Sequence, residues 1–343
     1  MTTRTPTIQD VARMAGVSTQ TVSNVLNRPE RVRPETASRV RDAVDSLGYR
    51  AHAAARRLRT RRSDTIALRL PPMANGISGA ILDVFLHELT ARAALMDLRV
   101  LLYTAADHRD EITRLQGFVA AGDIDGVVLT GTSIDDPRPA WLAGQEVPSV
   151  GFGRPWGAED LALHHWVDVD GEAGTAAAAA HLADGGGRRL AYLGWPGSSG
   201  QGAARRRGWQ RTMVDRSLVP ATDLESLAAA IPDNVEAALH ATRHLLDLHG
   251  RLDGIVCASD SLAMGALLAL GSTVPIIGFD NTPVARAVGL SSVDQRIDVV
   301  AQHVLDLLTD HGTVVRRPAS AQVVAPELRV RRAVLQDPEE AGA

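Results

Sequence analysis

The chain has 343 residues, 45% hydrophobic and 22% charged. At about 150 residues per domain this allows two domains and a small appendage, and it excludes disorder as the main state. No apolar run reaches the ~18 residues of a membrane span, and Met1–Thr7 carries no hydrophobic signal region. The one cysteine, Cys257, cannot form an internal disulfide, so a cytoplasmic, reducing setting and no membrane partner are expected. The net charge of −4 conceals an asymmetry. Residues 1–62 hold 13 arginines against five acids, leaving 23 bases and 35 acids for the other 281 residues. A basic head on an acidic body implies that the head meets a polyanion while the body repels it. All 36 bases are arginine, a preference that is not functional evidence on its own.

In chain order, Ile8, Val11, Ala12 and Ala15 recur at the spacing of an amphipathic helix, and Gly16 offers a turn with positive φ before Val17. Ser18 is a good N-cap for a second helix through Leu26, whose expected inner face is Val22, Val25 and Leu26. A third helix is expected from Pro34 to about Leu47, with Val40, Val44 and Leu47 inward and Gly48 as C-cap. Two short helices joined by a glycine turn describe a helix-turn-helix. The outer face of the second helix holds Thr19, Gln20, Thr21, Ser23 and Asn24, with no acid. A plain solvated face would carry Glu and Lys, whereas short amides and hydroxyls can reach base edges in a major groove.

The run Thr7-Ile8-Gln9-Asp10-Val11-Ala12-Arg13-Met14-Ala15-Gly16-Val17-Ser18-Thr19-Gln20-Thr21-Val22-Ser23-Asn24-Val25-Leu26-Asn27 resembles the DNA-binding head of the LacI/GalR family of bacterial repressors. Arg33-Pro34-Glu35-Thr36 and Leu47-Gly48-Tyr49 extend the resemblance. It implies that Thr19, Gln20 and Asn24 read bases, while Thr7, Ser18, Thr21, Ser23 and Asn27 hold phosphates or brace the helix. Ala53–Thr60 has good helix formers but is too short to be helical alone. In the family this stretch is a hinge that becomes helical on the operator, with a leucine, here Leu58, wedged into the minor groove. Arg56 is the second DNA-binding candidate of this hinge, and Ala51 and His52 depart from the Pro and Asn common in the family.

From Asp64 onward, short apolar runs (65–70, 98–102, 126–129, 149–152, 190–193, 254–258, 275–278) alternate with helical stretches (81–96, 111–121, 171–183, 201–215, 235–248, 261–270, 299–308). Such alternation argues for parallel sheets wound with helices on both faces, and the length fits two such halves. Asp123–Val128, Val167–Asp170, Ala203–Trp209, Ser259–Gly265 and Gly278–Asn281 fall in the order of the same family, which implies a two-lobed core like that of periplasmic sugar-binding proteins. The expected fold is α/β: a three-helix helix-turn-helix head and hinge helix, then that two-lobed core. The expected domains are a head over 1–50, a hinge over 51–62, a first lobe over 63–165 and 294–318, a second lobe over 166–293 and 319–335, and a disordered tail over 336–343.

In that fold the ligand lies between the lobes at the carboxyl ends of the strands. Five residues on loops after strand ends, Asn75, Arg154, Trp156, Ser259 and Asp280, are effector-binding candidates together with Arg205 in the helical stretch 201–215. The resemblance points to Arg205, three residues before Gly208, as the arginine that binds effector hydroxyls. Asp280 can accept from two hydroxyls, and the C–H face of a sugar ring packs on an indole such as Trp156. Trp166 and Trp195 are weaker candidates. Three departures blur the effector's identity: no phenylalanine pair follows Asn75, and the connections 271–274 and 222–233 are short.

Other motifs fail on spacing. Gly151-Phe152-Gly153-Arg154-Pro155-Trp156 lacks the third glycine of a nucleotide loop, and adjacent His164-His165 is not ligand spacing, so no metal and no cofactor are expected. Cys257 reads as core, and no nucleophile elbow or P-loop is present, so the chain is not expected to be an enzyme. The tail 331–343 has no apolar heptad, which favours a homodimer over a tetramer. The expected function is a dimeric repressor that binds double-stranded operator DNA and is released by a small molecule, expected to be a sugar or oligosaccharide. The alternative is a constitutive or co-repressor-dependent regulator with a non-sugar ligand or none.

Overall fold

Thr7 opens the first helix by a reciprocal cap. Its hydroxyl and the Asp10 backbone N–H meet at 3.4 Å, and the Asp10 carboxylate accepts from the Thr7 backbone at 2.9 Å. The computed structural model describes residues 6–27, 31–49, 62–70, 80–157, 164–197 and 199–331. Residues 1–63 and 64–343 form separate compact units. The first holds α1 (Ile8–Ala15), α2 (Thr19–Asn27) and α3 (Pro34–Leu47).

Gly16 ends α1 at φ 66°, and the Val17 N–H turns back to the Ala12 carbonyl, so the chain reverses into α2 as the glycine turn predicts. Val11, Val22 and Val40 are fully buried between the helices, each contributing roughly 1.5–3 kcal/mol. Three expected core positions differ. Leu26 is 38% exposed, because Val22 and Val25 cover the contact and Leu26 lies at its rim. On α3 the interior positions are Ala37, Val40 and Ala43, and Val44 and Leu47 are only half-buried, because a stripe of small residues lets the helices approach closely.

The second unit runs β1 (Thr65–Leu70), α4 (Ala80–Leu95), β2 (Arg99–Thr104), α5 (His108–Ala121), β3 (Gly126–Leu129), α6 (Pro137–Gly144), β4 (Ser149–Phe152) and β5 (His165–Val169). It continues with α7 (Gly171–Asp184), β6 (Leu190–Gly194), α8 (Gly200–Asp215), β7 (Ala228–Ala230), α9 (Val235–His249), β8 (Gly254–Cys257), α10 (Asp260–Leu270) and β9 (Ile276–Phe279). Then come α11 (Pro283–Ala287), β10 (Ser291–Asp294), α12 (Ile297–Leu308), the small hairpin β11 (Thr309–Asp310) and β12 (Thr313–Val314), β13 (Ala321–Val324) and β14 (Glu327–Arg329).

The strands form two six-stranded sheets, ordered β13-β5-β4-β3-β1-β2 and β14-β10-β9-β8-β6-β7. Every pairing in them is parallel except β14 on β10. Order reverses at β1 in the first sheet and at β6 in the second, the places where open α/β sheets leave crevices. The lobe boundaries differ from expectation. Residues 166–169 belong to β5, which pairs Val150 with His165 and packs Val167 and Val169 into the first core. Residues 321–324 also join the first sheet, pairing Ala321 with Trp166, and only β14 returns to the second. The chain therefore crosses between lobes three times, near 170, 295 and 325. β5, β10, β13 and β14 are not apparent as strands in the sequence, since His and Asp in β5, Ser and Asp in β10, Gln in β13, and Glu and Arg in β14 interrupt the apolar pattern.

Phe85 and Leu89 of α4 meet Val300, Val304 and Leu308 of α12 over the inner strands of the first sheet. On its other side, Tyr103 and Arg138 hold the fully buried Glu111, the hydroxyl at 3.0 Å and the guanidinium at 2.9 Å. Trp209 and Met213 of α8 fill the second core against Leu190 and Tyr192. No helix among the described residues is long and apolar enough to cross a membrane.

Candidate DNA-reading helix and interlobe cleft

On α2, Ser18 acts as the N-cap: its hydroxyl accepts the Thr21 N–H at 3.1 Å and lies 2.9 Å from the Thr21 hydroxyl. Thr19 and Gln20 are exposed, and Gln20 donates its amide to Asn24 at 3.1 Å. Gln20 and Asn24 thus present a paired amide edge of the kind that reads adenine in a major groove. Thr7 serves as the α1 cap, and Ser23 is half-buried on α2. Arg13, Arg31, Arg33, Arg39 and Arg41 are exposed cations of the head. The side chain of Asn27 and the hinge candidates Arg56 and Leu58 lie outside the described residues, as does Asn75 of the body and the tail 336–343.

In the second unit a cavity of about 320 Å³ opens between the lobes. The first lobe contributes Ile81, Leu82, Gly131, Thr132, Phe152, Gly153, Trp156 and Asp168. The second contributes Trp195, Ser199, Gln201, Arg205, Asp233 and Asp280, and Gln295 reaches in from a crossover. Its size lies at the lower end of small-molecule sites, roughly 300–1,000 Å³.

Arg205 is carried inward by α8 because the helix buries Ala204, Gly208 and Trp209 on the same side. Its guanidinium lies 3.6 Å from the centre of the Phe279 ring and 5.1 Å from that of Trp195, and it donates to the Ala258 carbonyl at 2.5 Å. Asp280 stands 3.6 Å away, on a backbone with φ 112° just past β9. Gln295 donates to the Asp280 carboxylate at 2.5 Å. Burial pushes the Asp280 carboxyl well above the usual carboxylate range; Arg205 opposes this, and the nearby Asp260 and Asp233 reinforce it. Burial likewise lowers the Arg205 guanidinium, against the pull of Asp280. Asp260 holds the loop that presents Asp280, accepting from the Thr282 N–H at 2.7 Å and the Ser292 hydroxyl at 2.6 Å.

Trp156, Arg205 and Asp280 therefore converge on the cleft. Arg154 stands behind it: it bonds Asp168 at 2.5 Å and stacks 5.0 Å from the Trp156 ring and 5.7 Å from Trp166. Ser259 is 1% exposed, caps α10 by accepting the Leu262 N–H, and donates to Asp233 at 2.5 Å, so Asp233 faces the cavity in its place. Asp168, Asp233 and Gln295 were not among the candidates. A lone acid inside the apolar strand Val167-Asp168-Val169 is a readable signal, whereas Gln295 carried none, because its place follows from a lobe crossover.

Atoms that lack a hydrogen-bond partner mark where a ligand can bond. Arg205 Nε, Trp195 Nε1 and Gln295 Oε1 are buried without one. Two donors and an amide acceptor beside carboxylates, with indole walls, suit a polyhydroxylated ring. Among the described residues no group of three or more His, Cys, Asp or Glu side chains could hold a metal ion. Cys257 is buried, and burial pushes its thiol up, away from nucleophile chemistry.

A helix-turn-helix head and a body of two α/β lobes with a ligand-sized cleft between them define a class of DNA-binding regulator. The family model "Bacterial regulatory proteins, lacI family" matches residues 7–52, and "Periplasmic binding protein-like domain" matches 179–334. The transcriptional regulator CelR of Thermobifida fusca is 32% identical over 327 residues, covering 90% of this chain and 93% of the relative. The chain belongs to the LacI family of bacterial regulatory proteins; it is a DNA-binding transcriptional regulator and not an enzyme. A solved CelR–cellobiose complex is similar at 27% identity, covering 96% of this chain and 99% of that one, with a TM-score of 0.69. The lac repressor dimer bound to operator and the anti-inducer ONPF shares the fold, with a TM-score of 0.79 at 22% identity over 97% of this chain and 100% of that one.

Proposed function

We propose that this regulator acts in the cytoplasm as a homodimeric repressor that binds a palindromic operator and leaves it when an uncharged sugar or oligosaccharide enters the interlobe cleft. One helix-turn-helix spans few base pairs, so useful affinity calls for two heads on a two-fold site. Thr19, Gln20 and Asn24 read bases, Thr7, Ser18, Thr21, Ser23 and Asn27 brace or hold phosphates, and the hinge residues Arg56 and Leu58 act at the operator centre.

The observation that carries the effector reading is the juxtaposition of Arg205, Asp280 and Gln295 with Trp156 and Trp195 around one cavity. Cellobiose, the ligand in the complex of the related CelR, is the first candidate. Arg205 and Trp195 donate to ring hydroxyls, and Asp280 and Gln295 accept. Gln295 lies on a crossover beside Arg296, whose left-handed φ of 56° starts α12 in the first lobe. A ligand that pulls on Gln295 thus acts on the junction between lobes. The coupling to DNA must exceed about 1.4 kcal/mol to change operator affinity tenfold.

Fluorescence anisotropy of a labelled duplex from the gene's own upstream region, at two salt concentrations and against a panel of sugars, tests this. Tight, salt-sensitive binding abolished by one sugar supports the repressor and names its effector. Binding that no sugar changes refutes the sugar reading, and no specific binding to a symmetric operator refutes operator recognition.

A further inference from the structure

Beyond Phe152 at the end of β4, the first lobe sends Trp156 across the cleft. It is braced from its own lobe by the Arg154 guanidinium, which is itself locked on Asp168 at 2.5 Å. On the second lobe the indole lies against Gly200, the first residue of α8. A Cβ added at Gly200 would overlap three atoms of the Trp156 ring. Nothing in the backbone calls for glycine there: Gly200 is not among the positive-φ residues, and Ser199 caps the helix by accepting the Gly202 N–H at 3.1 Å. Glycine is a poor helix residue. Its presence is therefore explained by the approach of an aromatic ring from the opposite lobe.

From this contact we infer that Trp156 is a clasp across the interlobe cleft, seated on Gly200, and that this pair governs how long the effector stays bound. The clasp closes on the helix that carries Arg205, so closure brings the aromatic wall of one lobe to the buried cation of the other. Asp168 and Arg154 fix its first-lobe end, and Ser199 and Gln201 line the cavity beside its seat. The role of the clasp in effector binding rests on the cleft being the effector site; the clasp itself does not.

The test uses full-length protein with spin labels on cysteines placed at Gln116 and Asp247, both exposed and on different lobes. Cys257 is buried and takes no label. Double electron–electron resonance is recorded without ligand, and cellobiose is then titrated, with its dissociation followed by stopped flow. In Gly200→Ala the ligand-free distance distribution broadens toward longer separations. Its cellobiose affinity falls at least about tenfold, through faster dissociation, while its melting temperature stays at or above that of wild type, since alanine is the better helix former. Trp156→Ala/Gly200→Ala loses no more than Trp156→Ala alone, because both substitutions break one contact. Unchanged ligand-free distances in Gly200→Ala overturn the clasp, as do additive losses. Wild-type protein that binds no cellobiose refutes that ligand, and the ligand-free distances still decide the clasp.

Discussion

Replacing Arg205 by methionine separates the ionic and packing roles of the cleft. Arg205 is almost completely buried, bonded to the Ala258 carbonyl at 2.5 Å and 3.6 Å from the equally enclosed Asp280. Without the guanidinium the Asp280 carboxyl, already pushed up by burial, keeps its proton, so the cost is that of the Ala258 carbonyl left buried without its donor, about 1–3 kcal/mol. At roughly 2–4 °C per kcal/mol for a body of this size, the core melts about 2–12 °C lower. The sign with pH follows from the raised carboxyl of Asp280. Its folded pKa already lies above the ordinary 3.8. Without Arg205 it rises further, so stability is fully present below the ordinary value and is lost as pH rises toward and through neutrality. Adding Asp280→Asn removes the titrating carboxyl, so the double variant loses the part of the pH dependence that Asp280 contributes. Calorimetry of wild type and the two variants at pH 5 and pH 7.5 measures this. An Arg205→Met protein that melts as wild type does at both pH values, or a double variant with the pH dependence of the single, refutes the reasoning.

Gln20→Ala removes half of the paired amide edge on α2 and should cost about 1–3 kcal/mol at one base position, relaxing specificity there in a panel of operator variants. Arg33→Ala is expected instead to weaken all sequences alike and to reduce the salt slope by about one. Ser18→Ala deletes the α2 cap and should destabilise the head by ~1 kcal/mol, seen as a lower melting midpoint of its helical signal. His164 is buried, and burial pushes its pKa from 6.5 down to about 4. Its contribution is present above pH 6.5 and is lost as pH falls through that window, amounting to roughly 3 kcal/mol at about 1.4 kcal/mol per unit. His164→Met should flatten the acid limb of the stability profile, and an unchanged limb would assign it to other groups.

The three head helices, the glycine turn and the serine cap were determined by local sequence, because capping and a 3.6-residue apolar period act within a few residues of the chain. The same holds for most inner strands of the body: β3 and β4 are apolar runs buried on both faces, and their bounds were legible to the residue. Arg205 could be placed through the family resemblance of Ala203–Trp209, and Asp280 because it follows a recognisable strand. Only the tertiary structure decided which lobe β5 and β13 complete. A strand reading His165-Trp166-Val167-Asp168-Val169 can pair with either sheet as far as its pattern goes, and its choice rests on the Val150–His165 pairing and on the Trp166–Ala321 pairing, the latter across more than a hundred residues of chain. The cleft's second tier followed from the same long-range geometry. Ser259 was read as a ligand contact, yet it caps α10 and hands the cavity to Asp233, 26 residues upstream. Gln295 and Gly200 carry no local signal at all. Gln295 matters through Asp280, which the pairing of β9 with β10 sets beside it, and Gly200 matters through Trp156, a contact that exists only once the two lobes have folded against one another.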